Sequence, residues 1–104
     1  MNSSDHLTIS APTELTAVNC QAFRDLARAA IGGQHTTAAV DLSATRFIDS
    51  SGIGALVSIH KTLRERCGEL RLLDPAPAVR QILELTQMHR VFEIITRHPS
   101  PQVS

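Results

Sequence analysis

Apolar and polar residues alternate in the short run Leu7-Thr8-Ile9-Ser10, the period of a half-buried strand. Pro12 stops the run, and Thr13-Glu14-Leu15-Thr16 reads as a connecting loop. Thr16 suits a helix N-cap, as does Asn19 if the helix starts later. The period then lengthens: Phe23, Leu26, Ala27, Ala30 and Ile31 recur at helical spacing, a stripe that needs a core, and Gly32-Gly33 ends it. Thr37 to Leu42 is apolar with little alternation and predicts a strand buried on both faces. Phe47 and Ile48 carry an apolar feature into the following turn. From Ser51 onward, Ile53, Leu56, Val57, His60 and Leu63 trace a second helical stripe, stopped by Gly68. Glu69 to Asp74 is a third strand. Asp74-Pro75-Ala76-Pro77 breaks it and opens a helix whose apolar side is Val79, Ile82, Leu83 and Thr86. Val91 to Ile95 is the last strand, and Pro99 to Ser104 is a loose polar tail.

The elements alternate strand, helix, strand, helix, strand, helix, strand. Connections of this length predict an α/β fold: a mostly parallel sheet of about four strands with three or more helices and right-handed crossovers. One domain is expected over residues 1–104, with its core over about 7–96. In such sheets the functional loops lie beyond the carboxyl ends of the strands. Three segments follow strands directly, Pro12 to Thr16, Arg46 to Gly54 and Asp74 to Ala78, and they should converge on one edge.

Composition narrows the function. With 42% apolar and 19% charged residues the chain is globular. Ten basic residues balance ten acidic ones, so there is no general attraction for polyanions. No Lys/Arg cluster offers a nucleic-acid or anionic-membrane surface. The start, Met1 to His6, is polar and lacks the apolar run of a signal peptide, and no stretch approaches the ~20 apolar residues that span a bilayer. Cys20 and Cys67 lack metal-like spacing and read as free thiols in a reducing cytoplasm.

The middle segment, Arg46-Phe47-Ile48-Asp49-Ser50-Ser51-Gly52-Ile53-Gly54, concentrates the special residues. It sets two hydroxyls where a strand turns into a helix, and a helix start tolerates a phosphate through its unbonded N–H groups and positive dipole end. Capping alone also explains an Asp-Ser-Ser triplet, but a cap uses one side chain and three polar groups crowd this turn. A hydrolase is not indicated, since neither serine sits in a Gly-x-Ser-x-Gly frame and the histidines are scattered. His60 should point along its own helix. Gly52-Ile53-Gly54 is a weak phosphate-loop feature, with Val57 where a dinucleotide fingerprint has its third glycine. Close helix–sheet packing and a sharp turn are the plainer explanation for both glycines. No metal site and no cofactor are expected.

These residues also carry a resemblance. Val40-Asp41-Leu42-Ser43, Phe47-Ile48-Asp49-Ser50-Ser51-Gly52-Ile53-Gly54-Ala55-Leu56, Leu70-Arg71-Leu72-Leu73-Asp74-Pro75 and Val79-x-x-Ile82-Leu83-Glu84-Leu85-Thr86 resemble the STAS domain. Within it they are most similar to bacterial anti-sigma factor antagonists, over about Leu7 to Ile95. The resemblance implies a substrate rather than an enzyme. The unphosphorylated protein of that family binds an anti-sigma factor serine kinase, and phosphorylation of the first motif serine, Ser50 here, releases it. A metal-dependent serine/threonine phosphatase resets the cycle. The partner-binding set implied is Glu14, Thr16, Asp49, Ser50, Ser51, Gly52, Ile53, Gly54 and Asp74, with Ser51 the better candidate for the helix cap.

The chain departs from the family at its start. The usual first strand is missing or very short, and Pro12-Thr13-Glu14-Leu15-Thr16 replaces a Gly-Glu-Leu-Asp-like turn. An exposed sheet edge, open to homodimerisation or partner pairing, is the expected result. Cys67 holds a position usually occupied by glycine and reads as a packing substitution. Two other readings stand beside the antagonist: a STAS scaffold subunit of a lipid-transport or signalling complex that works without phosphorylation, and a small-ligand or nucleotide site at the Gly52–Gly54 turn.

Overall fold

The computed structural model describes residues 6–32 and 37–96. The polar tail from Pro99 lies outside the described residues. So do residues 1–5, on which the expected lack of an earlier strand falls.

Strands β1 (His6–Ser10), β3 (Thr37–Asp41), β5 (Glu69–Leu73) and β6 (Glu93–Ile95) form one parallel sheet in the order β1-β3-β5-β6. Helices α1 (Cys20–Ile31), α2 (Ser50–Arg64) and α3 (Pro77–Leu85) connect them. Each crossover moves the chain one place across the sheet in the same direction. Right-handed crossovers then put every helix on the same face, and the packing bears this out. Cross-strand register aligns Ile9, Val40, Leu72 and Ile94 in one row, which shares a single core with Phe23, Ala27 and Ile31 of α1, Leu56, Ile59 and Leu63 of α2, and Val79 and Leu83 of α3. The next row, Thr8, Ala39, Arg71 and Glu93, points to the other face. There Arg71 Nε pairs with Glu69 at 3.0 Å and with Glu93 across the strands at 3.2 Å.

One-sided covering corrects the expectation for Thr37 to Leu42. Ala38, Val40 and Leu42 are buried, but Thr37, Ala39 and Asp41 are only half-buried. Alanine suits either environment, so its presence hid the alternation. Two other expectations shift at helix surfaces. Leu26 belongs to the α1 stripe by spacing yet is 58% exposed, because the part of α1 facing the sheet is the narrower line Phe23, Ala27, Ile31. The last strand starts at Glu93 rather than Val91: a single 3₁₀ turn, Met88–Arg90, follows a left-handed Gln87 and leaves Val91 outside the ladder.

The residue that ends α2 is Cys67, not Gly68. Cys67 has φ 63° and is exposed, its N–H donates to Arg64 O, and the Gly68 N–H donates to Leu63 O. It therefore takes the left-handed backbone of a helix terminus, a place glycine usually fills, and its thiol packs against no core. Farther back on α2, His60 does not run along its helix. Its ring meets Phe92 edge-on at 5.2 Å, and Nδ1 accepts the Leu70 N–H at 3.3 Å.

A second, smaller sheet lies past the carboxyl ends of β1 and β3. Strand β2 (Glu14–Leu15) pairs in parallel with β4 (Phe47–Ile48). The expected loop Thr13 to Thr16 is therefore partly a strand, and this small sheet positions the site.

Candidate functional site

Two of the three segments expected to converge do so directly. Arg46 N–H donates to Thr13 O at 2.7 Å and Asp49 N–H to Leu15 O at 3.2 Å, extending the β2–β4 pairing at both ends. Thr45, the buried polar residue of this region, donates its hydroxyl to Pro12 O at 2.8 Å. Burial removes water as an alternative partner, so this bond holds the β3–β4 connection against the β1–β2 turn. The third segment approaches through α3, which packs on β4. Asp74 itself ends β5 with φ 50° and donates its backbone N–H to Ile95 O at the opposite side of the sheet.

The cap of α2 is Asp49 rather than Ser51. Its Oδ1 accepts the Gly52 N–H at 2.9 Å from an extended backbone, while Ser50 and Ser51 already lie in the helix. Its Oδ2 accepts the Ala17 N–H at 3.2 Å, from the loop before α1. One carboxylate thus caps the helix and ties down a loop more than thirty residues earlier. A serine hydroxyl has a single oxygen on a shorter arm and cannot bridge these two places at once.

Gly52 makes this arrangement fit. A Cβ added there would lie 2.2 Å from Leu15 O and 2.8 Å from Ile48 Cγ1. The first turn of α2 therefore rests directly on the small sheet, and the close-packing explanation holds for this glycine. It does not hold for Gly54, where an added Cβ meets nothing within 4 Å. Ile53 is half-buried and packs against the core, which makes it support as much as surface. Ser51 is half-buried, and Ser50, at the first helical position, is exposed.

The loop beside the turn is equally well held. Asn19 precedes α1 but its side chain turns backward: Oδ1 accepts Thr16 N–H at 3.0 Å and Nδ2 donates to Glu14 O at 2.7 Å. The Thr16 hydroxyl accepts Val18 N–H at 3.2 Å, and its carbonyl accepts from Asn19 and Cys20. Glu14 and Thr16 are thereby fixed next to the Asp49 turn. The same bonding pushes Val18 outward until it is 95% exposed, and Phe47 on β4 is 48% exposed. Both flank the turn that carries Ser50. Val18 was not legible as a site residue, since a lone valine in a polar loop belongs to no period.

Among the described residues no group of His, Cys, Asp and Glu has the arrangement of a metal site, and no helix is long and apolar enough to cross a membrane.

The STAS domain family profile matches residues 2–100. An anti-sigma-B factor antagonist of Listeria monocytogenes is 25% identical over 91 residues, 88% of this chain and 80% of the relative. Solved structures share the fold, two of them as follows. The anti-sigma factor antagonist SpoIIAA in its unphosphorylated form superposes with a TM-score of 0.79 at 24% identity, covering 95% of this chain and 85% of that one. The Bacillus cell fate determinant SpoIIAA in its phosphorylated form gives 0.71 at 23%, covering 95% and 88%. With the parallel sheet, the one-sided helices and the profile match over nearly its whole length, the chain belongs to the STAS domain family.

Proposed function

We propose that this chain is an anti-sigma factor antagonist that works by partner switching, with Ser50 as its phospho-acceptor. The observation that carries the reading is the exposed Ser50 hydroxyl on a turn already held in place, between exposed Phe47 and Val18. Its relatives' names support the partner class, and a relative of the same fold is known in a phosphorylated form.

In this cycle the unmodified turn docks on an anti-sigma factor serine kinase, and Phe47 and Val18 supply apolar contact beside the reacting hydroxyl. The Ser50 oxygen attacks the γ-phosphorus of the kinase's ATP. The bond from that phosphorus to the bridging oxygen of ADP breaks, and the hydroxyl proton passes to a base on the kinase. ATP as co-substrate implies a cytoplasmic encounter. The product carries about two negative charges at a turn that already holds the Asp49 carboxylate. The first N–H groups of α2 stabilise those charges in the free protein, whereas a partner face built for Phe47, Val18 and a neutral hydroxyl must desolvate them. Release follows from that difference. A serine/threonine phosphatase hydrolyses the phosphoserine and restores the docking form. Glu14, Thr16, Asp49, Ser51, Gly52, Ile53 and Gly54 belong to the docking edge in this reading; Asp74 reaches it only through its neighbours on α3.

Incubation with the anti-sigma kinase and ATP, followed by mass spectrometry, is expected to place one phosphate on Ser50. Ser50→Asp is expected to weaken kinase binding by about 2 kcal/mol, roughly thirtyfold. An unmodified Ser50, together with normal regulation of Ser50→Ala, would rule the switch out.

A further inference from the structure

Gly54 stands one helical turn beyond Ser50, exposed, with open space where a Cβ would be. Its backbone is not left-handed either, since among the described residues the glycine with positive φ is Gly32. Nothing inside the chain therefore asks for glycine here, although glycine weakens a helix interior. A bare stretch of helix backbone on the surface admits unusually close approach by something outside the chain.

That bare stretch opens one end of a groove between α1 and α2, lined also by Arg28, Val57, Ser58, Lys61 and Glu65. Arg28 Nη2 donates to Ser58 Oγ at 2.8 Å, which joins the two helices across the groove. Neither Arg28 nor Lys61 has an acidic partner among the described residues. Two unpaired cations against the single carboxylate of Glu65 leave the groove positive, in a chain whose charges balance as a whole.

Ser50, Gly54, Ser58 and Lys61 follow one another at spacings of four, four and three, so they share a face of α2. At the α-helical rise, Gly54 lies ~6 Å and Lys61 ~16 Å along the axis from Ser50. A stable protein interface covers about 800 Å² on each partner, a disc of radius ~16 Å. A partner centred on Ser50 therefore reaches the groove.

We infer that the serine kinase engaging Ser50 also lays an acidic segment in the α1–α2 groove, its backbone close against Gly54 and its carboxylates on Arg28 and Lys61. This rests on the partner-switching reading and adds the place and the charge of a second contact. Steering between a positive groove and an acidic segment raises the encounter rate and fixes the register of docking.

The probe is the anti-sigma kinase that pairs with the full chain when each histidine-kinase-like anti-sigma factor of its genome is tested by two-hybrid. Calorimetry with that kinase is expected to show at least a tenfold loss for Gly54→Leu, with a circular-dichroism melt no lower than that of the parent chain. The double variant R28E/K61E is expected to lose at least tenfold and to flatten the salt dependence of binding. If both variants bind as the parent chain does while Ser50→Asp is released, the groove contact is overturned and the Ser50 switch stands. If Ser50→Asp binds as tightly as the parent, or no kinase pairs at all, the switch itself falls and the groove contact falls with it. Should Gly54→Leu melt early, the charge variant decides, because exposed Lys61 and Arg28 support no core.

Discussion

Gly52 and Gly54 stand two residues apart on one helix, and their surroundings are opposite. Gly52 faces inward, where an added carbon would meet the Leu15 carbonyl at 2.2 Å; Gly54 faces outward, where it would meet nothing. The first is needed by the fold, because α2 rests on the small β2–β4 sheet with no space for a side chain. The second is needed by nothing in the fold. The same division runs along α2: Leu56, Ile59 and Leu63 serve the core, while Ser50, Gly54 and Lys61 face the solvent. A motif of this kind thus mixes residues that build the turn with residues that are free to meet a partner, and identity alone does not sort them.

The sharpest attack on this comparison is Gly52→Ala. A backbone carbonyl cannot swing aside as a side-chain end does, so the helix must lift off the small sheet. The expected cost is about 3 kcal/mol or more, seen as a melting point lowered by ~10 °C or more. A variant as stable as the parent would erase the distinction. Gly54→Ala should move the other way: an exposed helix position gains about 0.5–1 kcal/mol from the exchange, a rise of a few degrees read in the same melt. A loss of stability there would mean that Gly54, too, belongs to the fold.

The smallest effect expected is a pH dependence at His60, on the sheet-facing side of the helix. Burial chiefly, and then the neighbouring Arg64, hold its imidazole below the ordinary value of 6.5, while Glu69 opposes them. The neutral ring accepts the Leu70 N–H, and a proton on Nδ1 removes that acceptor. Because the folded value is depressed, this stabilisation is complete above pH 6.5 and is lost as pH falls through the folded value. Melts from pH 7.5 down to 5 should show a decline that His60→Gln reduces; an equal slope in both proteins would separate the ring from the effect.

The repeating parts of the fold were legible because they recur. Leu7 to Ser10, Glu69 to Leu73 and the inward lines of all three helices carry enough turns or alternations to declare a period. The small sheet was not, since two residues such as Glu14-Leu15 contain no period; hydrogen bonds from Arg46 and Asp49 create it. At the site, the motif located the turn, but choosing a cap among Asp49, Ser50 and Ser51 required geometry, as all three side chains can cap. Asp49 prevails because its second oxygen also reaches Ala17 N–H. Cys67 escaped for a similar reason: a left-handed backbone was needed there, and only the neighbouring glycine signalled it.

All strand pairings described are parallel, in both sheets, and this bears on how the chain is made. Among the described residues no hairpin exists to form early. His6 waits for Thr37 before β1 has a neighbour, and Thr37 waits for Glu69. Loop closure must precede every reward from pairing, which slows folding relative to a chain rich in local contacts. On a ribosome the helices form first, while β6, the last strand described, joins only after α3 has been made. Until then β5 keeps one edge open, so the newly made chain is most prone to pairing with a stranger in the interval between the making of β5 and the making of β6.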